Sequence, residues 1–138
     1  MNPVSLADTS PTARILCRVQ LNGYQRNVNA RHEAFPDLAM NIVPNSDLSV
    51  SGVVIDVPAA DMPALRQREV GYACVDITAA LAEPFDTAVH TFIAPDVSVC
   101  EGKYVRQAYL DLCLGGVPTV ERERWLLETI VQCPIRVV

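Results

Sequence analysis

Apolar residues recur at every second position through most of the first two thirds of the chain, then at every third or fourth. A period of two marks strands with one buried face, and a period near 3.6 marks amphipathic helices. Residues 15–21 place Ile15, Cys17, Val19 and Leu21 on one face, predicting a half-buried strand. Asn22-Gly23 supplies a turn or bulge, and residues 24–29 continue in extended form. A second strand is predicted over 38–43, closed by the turn-rich run Pro44-Asn45-Ser46-Asp47. Residues 50–57 are nearly all apolar, which predicts a strand buried on both faces and ended by Pro58. Residues 59–68 read as a short helix with Ala60, Ala64 and Leu65 inward, Pro63 being tolerated in its first turn. Strands follow over 72–77 and 87–93.

From residue 104 the helical period takes over. Residues 104–114 align Val105, Ala108, Tyr109, Leu112 and Cys113 on one stripe, stopped by Gly115-Gly116. Thr119 can cap a last helix whose first turn carries Glu121 and Glu123 and whose core contacts come from Trp125, Leu126, Ile130 and Val131. Many strands and one short helix, then two helices, predict an α+β fold with a curved mixed sheet or small β-barrel and flanking helices. At 138 residues the chain is expected to form one domain, spanning 1–138.

Composition narrows the function classes. Half of the residues are hydrophobic, so disorder is excluded, yet no apolar run is long enough to span a bilayer. The start of the chain has no basic-then-apolar signal segment, and a cytoplasmic protein without a membrane partner is expected. Net charge is −5 and the arginines are scattered among separate elements, a poor match for a nucleic-acid backbone. The five cysteines, Cys17, Cys74, Cys100, Cys113 and Cys133, show no close pairing of the zinc or redox kind. Cys17, Cys74 and Cys113 read as small buried hydrophobes. A nucleophilic cysteine would need a base such as His32 or His90 beside it, and nothing in the pattern places either there.

The segment richest in chemical possibility is Leu65-Arg66-Gln67-Arg68-Glu69-Val70-Gly71-Tyr72. It sets one carboxylate, Glu69, where a helix gives way to a glycine and then a strand, a place where a side chain can be held rigidly at the mouth of a fold. A glutamate near a helix end is more ordinarily a solvated residue, weakly paired with a neighbour such as Arg66 or Arg68.

Four pieces, in order, resemble the gamma-glutamylcyclotransferase-like family. They are Asn2-Pro3-Val4-Ser5-Leu6 followed by Thr9; Gly23-Tyr24-Gln25-Arg26-Asn27-Val28-Asn29; Gly52-Val53-Val54-Ile55-Asp56-Val57 leading through Pro58 and Asp61 to Leu65–Tyr72; and the tyrosine-led helix from Tyr109 to Gly116. The third piece is the most specific, and the set runs over nearly the whole chain. The resemblance implies that Glu69 is the acid/base residue. It would take a proton from the α-amine of a γ-glutamyl substrate, whose nitrogen closes on the γ-carbonyl to give 5-oxoproline and expel an amine. Such a reaction is intramolecular, so folding the substrate removes much of the barrier and one relayed proton remains. It calls for no metal or redox cofactor. Tyr72 and Tyr109 are the expected substrate-binding residues at the pocket, although core packing accounts for either one as well.

Family members carry, just upstream of the Asn-Pro segment, a strand and loop of the form Tyr-Gly-Ser-Leu whose main-chain N–H groups hold the substrate carboxylate. This chain contains no Tyr-Gly-Ser, and Met1 falls at or beside the aliphatic position that ends the motif. The expectation is a domain truncated at its N-terminus. Without that loop the pocket would be incomplete, the activity of the chain as it stands would be in question, and an open sheet edge would favour a homodimer. The rival expectation is a catalytically silent protein on the same fold that binds a small ligand or serves assembly.

Overall fold

The computed structural model describes residues 6–31, 37–95, 104–131 and 135–136. The Asn2–Ser5 part of the first family-like piece, together with His32, Cys100 and Cys133, lies outside the described residues.

Two long strands, β1 (Arg14–Arg31) and β2 (Leu38–Asp56), pair antiparallel along nearly their whole length. Both breaks expected within them are present: Asn22-Gly23 as a bulge, one of its two expected forms, and Pro44–Asp47 as the bulged side instead of the expected closing turn. Gly23 takes a φ of 77°, open to glycine at little cost, where the register shifts between Asn22 and Tyr24. Asn22 pairs with Ser49 and Tyr24 with Pro44, so residues 45–48 stand opposite Gly23. The turn chemistry there is real, since Asp47 N–H donates to Asn45 Oδ1 at 3.2 Å. The chain nevertheless resumes its direction. Burial of 50–57 on both faces is also not observed. Val50 and Val54 are buried, while Ser51, Gly52 and Val53 are exposed, because this half of the ribbon packs on one side only.

The bulges bend the ribbon, and Arg26 shows by how much. Its guanidinium donates to Ser51 O at 3.2 Å, yet Ser51 pairs with Gln20, six residues back along β1. On a flat strand that separation would be about 20 Å, beyond the reach of any side chain. Arg26 is buried, stacks over Trp125 at 4.7 Å and donates to Thr129 Oγ1 at 3.4 Å. Burial pulls its pKa down, and the charge of Glu128 partly offsets this.

Strand β6 (Ile130–Val131) joins β1 in parallel at Asn27 and Val28, giving a mixed sheet of order β2-β1-β6. A second pair is formed antiparallel by β3 (Ala73–Asp76) and β4 (His90–Ile93), and a third in parallel by β5 (Val105–Arg106) and β7 (Ile135–Arg136). Helices α1 (Met62–Arg68), α2 (Gln107–Gly115) and α3 (Arg122–Leu127) flank them. This is the expected α+β fold with a curved mixed sheet; among the described residues the strands do not close into a barrel.

One core cluster joins Val28, Leu38, Val105 and Leu110, with Met40, Tyr109 and Val131 against it. The other joins Leu21, Ile77 and Leu81, with Tyr24, Ile42 and Val75 among its neighbours. Several expected core positions are exposed instead. In α1 only Leu65 is buried, and Ala60 and Ala64 face solvent. Residues 104–106 are not helical, so α2 starts later and turns Leu110 inward, leaving Ala108 and Leu112 outside. In β3 Val75 faces the core, so Cys74 is exposed by alternation, and Cys17 is only half-buried.

Replacing Arg26 by Met keeps the packed stem but leaves Ser51 O and the Trp125 face without their cation. A loss of about 1–3 kcal/mol is expected in urea unfolding, with an unchanged denaturant slope.

Candidate functional site

The site is built outward from a seven-residue helix. Asp61 opens α1, and its carboxylate accepts a hydrogen bond from Ser10 Oγ at 2.6 Å instead of capping the helix. Pro63 occupies the first turn, where its missing N–H costs nothing, and Leu65 anchors the helix in the interior. At the far end Glu69 N–H donates to Leu65 O at 3.0 Å, completing the last helical turn. Tyr72 N–H in turn donates to Glu69 O at 3.0 Å, so residues 69–72 form a tight turn. Its third residue, Gly71, has a φ of 92°, which a β-carbon disfavours. Leu65, Glu69, Gly71 and Tyr72 thus form one local device that aims a carboxylate and a phenol together.

The Glu69 side chain is 16% exposed, and its Oε1 lies 3.5 Å from Arg68 Nε. This is the weak arginine pairing that the sequence suggests, made by Arg68, which also donates to Thr9 Oγ1 at 3.3 Å. Tyr72 is half-buried although it shares strand parity with exposed Cys74 and Asp76, because it sits in the turn ahead of β3. Burial raises its pKa above the ordinary 10.0, and the negative charge of Glu69 raises it further. The carboxylate and the phenol are therefore neighbours.

Tyr109 arrives from α2, distant in sequence. Its hydroxyl accepts a hydrogen bond from Met40 N–H at 2.8 Å, tying α2 to β2. The same hydroxyl is hydrogen-bonded to Cys113, one helical turn on. Its pKa is pushed well above the ordinary range, chiefly by burial and then by Cys113, with Tyr72 adding a smaller push. Burial likewise raises the Cys113 thiol. Glu69, Tyr72 and Tyr109 thus form a chain of electrostatic neighbours, with the last hydroxyl already engaged by the protein.

The sheet also carries a buried polar group that pattern reading does not single out. Asn41 Oδ1 accepts from Ala94 N–H at 3.0 Å, and its Nδ2 donates to Asn29 Oδ1 at 3.0 Å. The β3–β4 ladder ends at the Ala73–Ile93 pair, and Ala94 follows it at the end of β4. Asn41 therefore fixes the end of β4 against β2. The only sequence signal for it was polar residues at the centre of otherwise apolar strands, Asn27-Val28-Asn29 facing Asn41.

A cavity of about 410 Å3 lies elsewhere, lined by Leu6, Ser10, Ala13, Ile15 and Ile55 among others, without Glu69, Tyr72 or Tyr109. Its walls are mostly apolar, the Ser10 hydroxyl is given to Asp61, and Arg14 is paired with Asp56 at 2.8 Å. It offers no carboxylate, imidazole or thiol that could act as an acid or base. Among the described residues no His, Cys, Asp and Glu cluster has metal-binding geometry.

Gly71→Ala meets no steric obstacle, since nothing lies within 4 Å of an added Cβ, so its cost is conformational. A loss of about 1 kcal/mol in unfolding free energy is expected. Ultraviolet titration of the tyrosines checks the electrostatics. Glu69→Gln should lower the Tyr72 midpoint only partway, because burial is the larger cause. The folded pKa values of Tyr72 and Tyr109 lie above the unfolded value of 10.0, so the unfolded chain gives up its phenolic protons first. Their contribution to stability is intact below that pH and falls as pH rises through it.

No family model matches the chain, and no curated protein does. Among solved structures the fold is similar to that of a protein described as "Gamma-glutamyl cyclotransferase". That likeness has a TM-score of 0.73 and 14% identity, and covers 94% of this chain and 82% of that one. It is also similar to an uncharacterized protein of Homo sapiens, loc79017, known from ensemble refinement of its crystal structure. There the TM-score is 0.71 and the identity 13%, covering 96% of this chain and 85% of that one. At such identities the likeness is one of fold, and the chain has the gamma-glutamyl cyclotransferase-like fold.

Proposed function

We propose that the chain is a gamma-glutamylcyclotransferase-like protein that cyclises a γ-glutamyl amine or peptide, with Glu69 as its acid/base residue. The observation that carries this reading is the placement of Glu69, which is largely buried, turned back by Gly71, and set beside Tyr72 with Tyr109 next in line. The fold likeness supports it. In this reading the Glu69 carboxylate accepts a proton from the substrate α-amine as that nitrogen attacks the γ-carbonyl carbon. The lactam C–N bond forms, the bond from the γ-carbon to the leaving nitrogen breaks, and Glu69 returns the proton to the departing amine. The products are 5-oxoproline and a free amine, with no net change of protons or electrons. Tyr72 and Tyr109 line the pocket and help to exclude water from the carboxylate. Among the described residues no helix is long and apolar enough to cross a membrane. The same reading takes the substrate to be a small γ-glutamyl compound handled in the cytoplasm by a homodimer.

The second reading is a catalytically silent protein on the same fold that binds a small ligand or serves assembly. It draws on the apolar hollow beside Leu6 and Ile15, which holds no acid or base.

The test is release of 5-oxoproline from a panel of γ-glutamyl amines and peptides by the chain and by Glu69→Gln. A fall of about 100-fold or more in the variant is expected, the scale of losing a general acid/base. Equal rates would remove Glu69 from the mechanism, and no turnover by either folded protein would favour the silent reading.

A further inference from the structure

Arg68 and Glu69 are adjacent at the end of α1, and adjacent helical side chains normally diverge. Here the Arg68 side chain folds toward its neighbour, and its Nε lies 3.5 Å from Glu69 Oε1. Both groups still reach solvent, with 30% of the Arg68 side chain and 16% of the Glu69 side chain exposed. The guanidinium is steadied from a distant part of the sequence by Thr9, whose Oγ1 accepts from Nη1 at 3.3 Å. Thr9 is itself held. Its N–H donates to Leu6 O at 2.9 Å, and the next residue, Ser10, donates to Asp61 at the start of α1. A cation is thus set beside the proposed acid/base carboxylate by two elements far apart in the chain.

A charge-assisted hydrogen bond between such groups closes to about 2.7–2.9 Å, so this pair attracts without locking. It presents one charge of each sign side by side, within reach of solvent. The head of an amino acid carries the complementary two charges, an α-ammonium and an α-carboxylate on one carbon. An ammonium set against Glu69 necessarily brings its own carboxylate close to Glu69 as well. Two carboxylates so placed repel unless a cation stands beside them, and Arg68 is such a cation. Its planar fork also matches the two oxygens of a carboxylate, as a lysine ammonium does not.

We propose that Arg68 binds the α-carboxylate of the substrate and so selects γ-glutamyl compounds over plain ω-amino amides. This deepens the function proposed above and rests on it. On binding, the substrate ammonium engages the Glu69 carboxylate and the substrate carboxylate engages the Nε edge of Arg68. One loose ion pair is exchanged for two, and Thr9 keeps the guanidinium in place through the exchange.

The test uses two substrates that differ only in that carboxylate. L-γ-glutamylmethylamide closes to 5-oxoproline, and 4-amino-N-methylbutanamide closes to 2-pyrrolidinone. Both release methylamine, so one assay gives kcat/KM for each with the full chain and with Arg68→Gln. The unmodified chain should favour the first compound. Arg68→Gln should lower kcat/KM for it about tenfold or more, with the second compound little changed. Arg68→Lys should restore part of the preference. Arg66→Gln, which removes the same charge from an exposed position nearby, should leave the preference intact. An equal fall for both compounds would reduce Arg68 to positioning Glu69 and overturn the proposal, as would an unchanged preference. If neither compound is turned over, the same ratios are read from binding by calorimetry. A folded chain that binds neither compound sinks the γ-glutamyl reading and this inference together. If Arg68→Gln does not fold, the Arg68 Nε–H signal is followed by NMR in the isotopically labelled unmodified chain. A shift with L-γ-glutamylmethylamide but not with the decarboxylated compound supports the proposal. An equal response to both, or none, overturns it.

Discussion

The antiparallel pairing of β1 with β2 carries both core clusters, and the bulge opposite Gly23 decides where its two halves point. One half packs under Ile77 and Leu81 and the other under Val105 and Leu110. The bend between them is secured by Arg26, whose cation reaches from β1 to Ser51 O and across to Trp125 and Thr129 of the C-terminal segment. Curvature of this kind comes from mismatched residue counts on paired strands, and here the mismatch is large. Without it, the C-terminal segment would not meet the sheet where it does.

The candidate site depends on that bend indirectly. α1 contributes Glu69 through a purely local device of buried Leu65, a closing turn and the positive φ of Gly71. Its partners are non-local. Tyr109 is fixed by the Met40 N–H, and β4 is fixed by Asn41 accepting from Ala94 N–H. A local element supplies the carboxylate and the curved ribbon supplies the walls. This arrangement suits a reaction in which the substrate carries its own nucleophile, since the protein then has only to fold the substrate and relay a proton.

Legibility in the sequence followed the same division. The helix, the glycine and the strand around Glu69 are signalled within eight consecutive residues, and the structure has them in that order, with the helix starting at Met62 and the strand at Ala73 rather than Tyr72. The Pro44–Asp47 signal was also real, but turn chemistry does not say whether the chain reverses or bulges, and here its partner strand decided. The inward faces of α1 and α2 were misjudged for a related reason. Alanines fit either face of a short helix, and the strand at Val105 shifted the start of α2 and with it the phase of the stripe. The links from Asn41 to Ala94 and from Met40 to Tyr109 span 53 and 69 residues, and no local periodicity encodes them.

The central claim is that one place on this fold, around Glu69, Tyr72 and Tyr109, receives the ligand. The most direct measurement is an NMR titration of the isotopically labelled chain with L-γ-glutamylmethylamide, following every assigned residue. The account predicts saturable shifts gathered at Glu69, Tyr72 and Tyr109. Shifts confined to the apolar hollow of Leu6, Ala13, Ile15 and Ile55, or none at millimolar ligand, would contradict it.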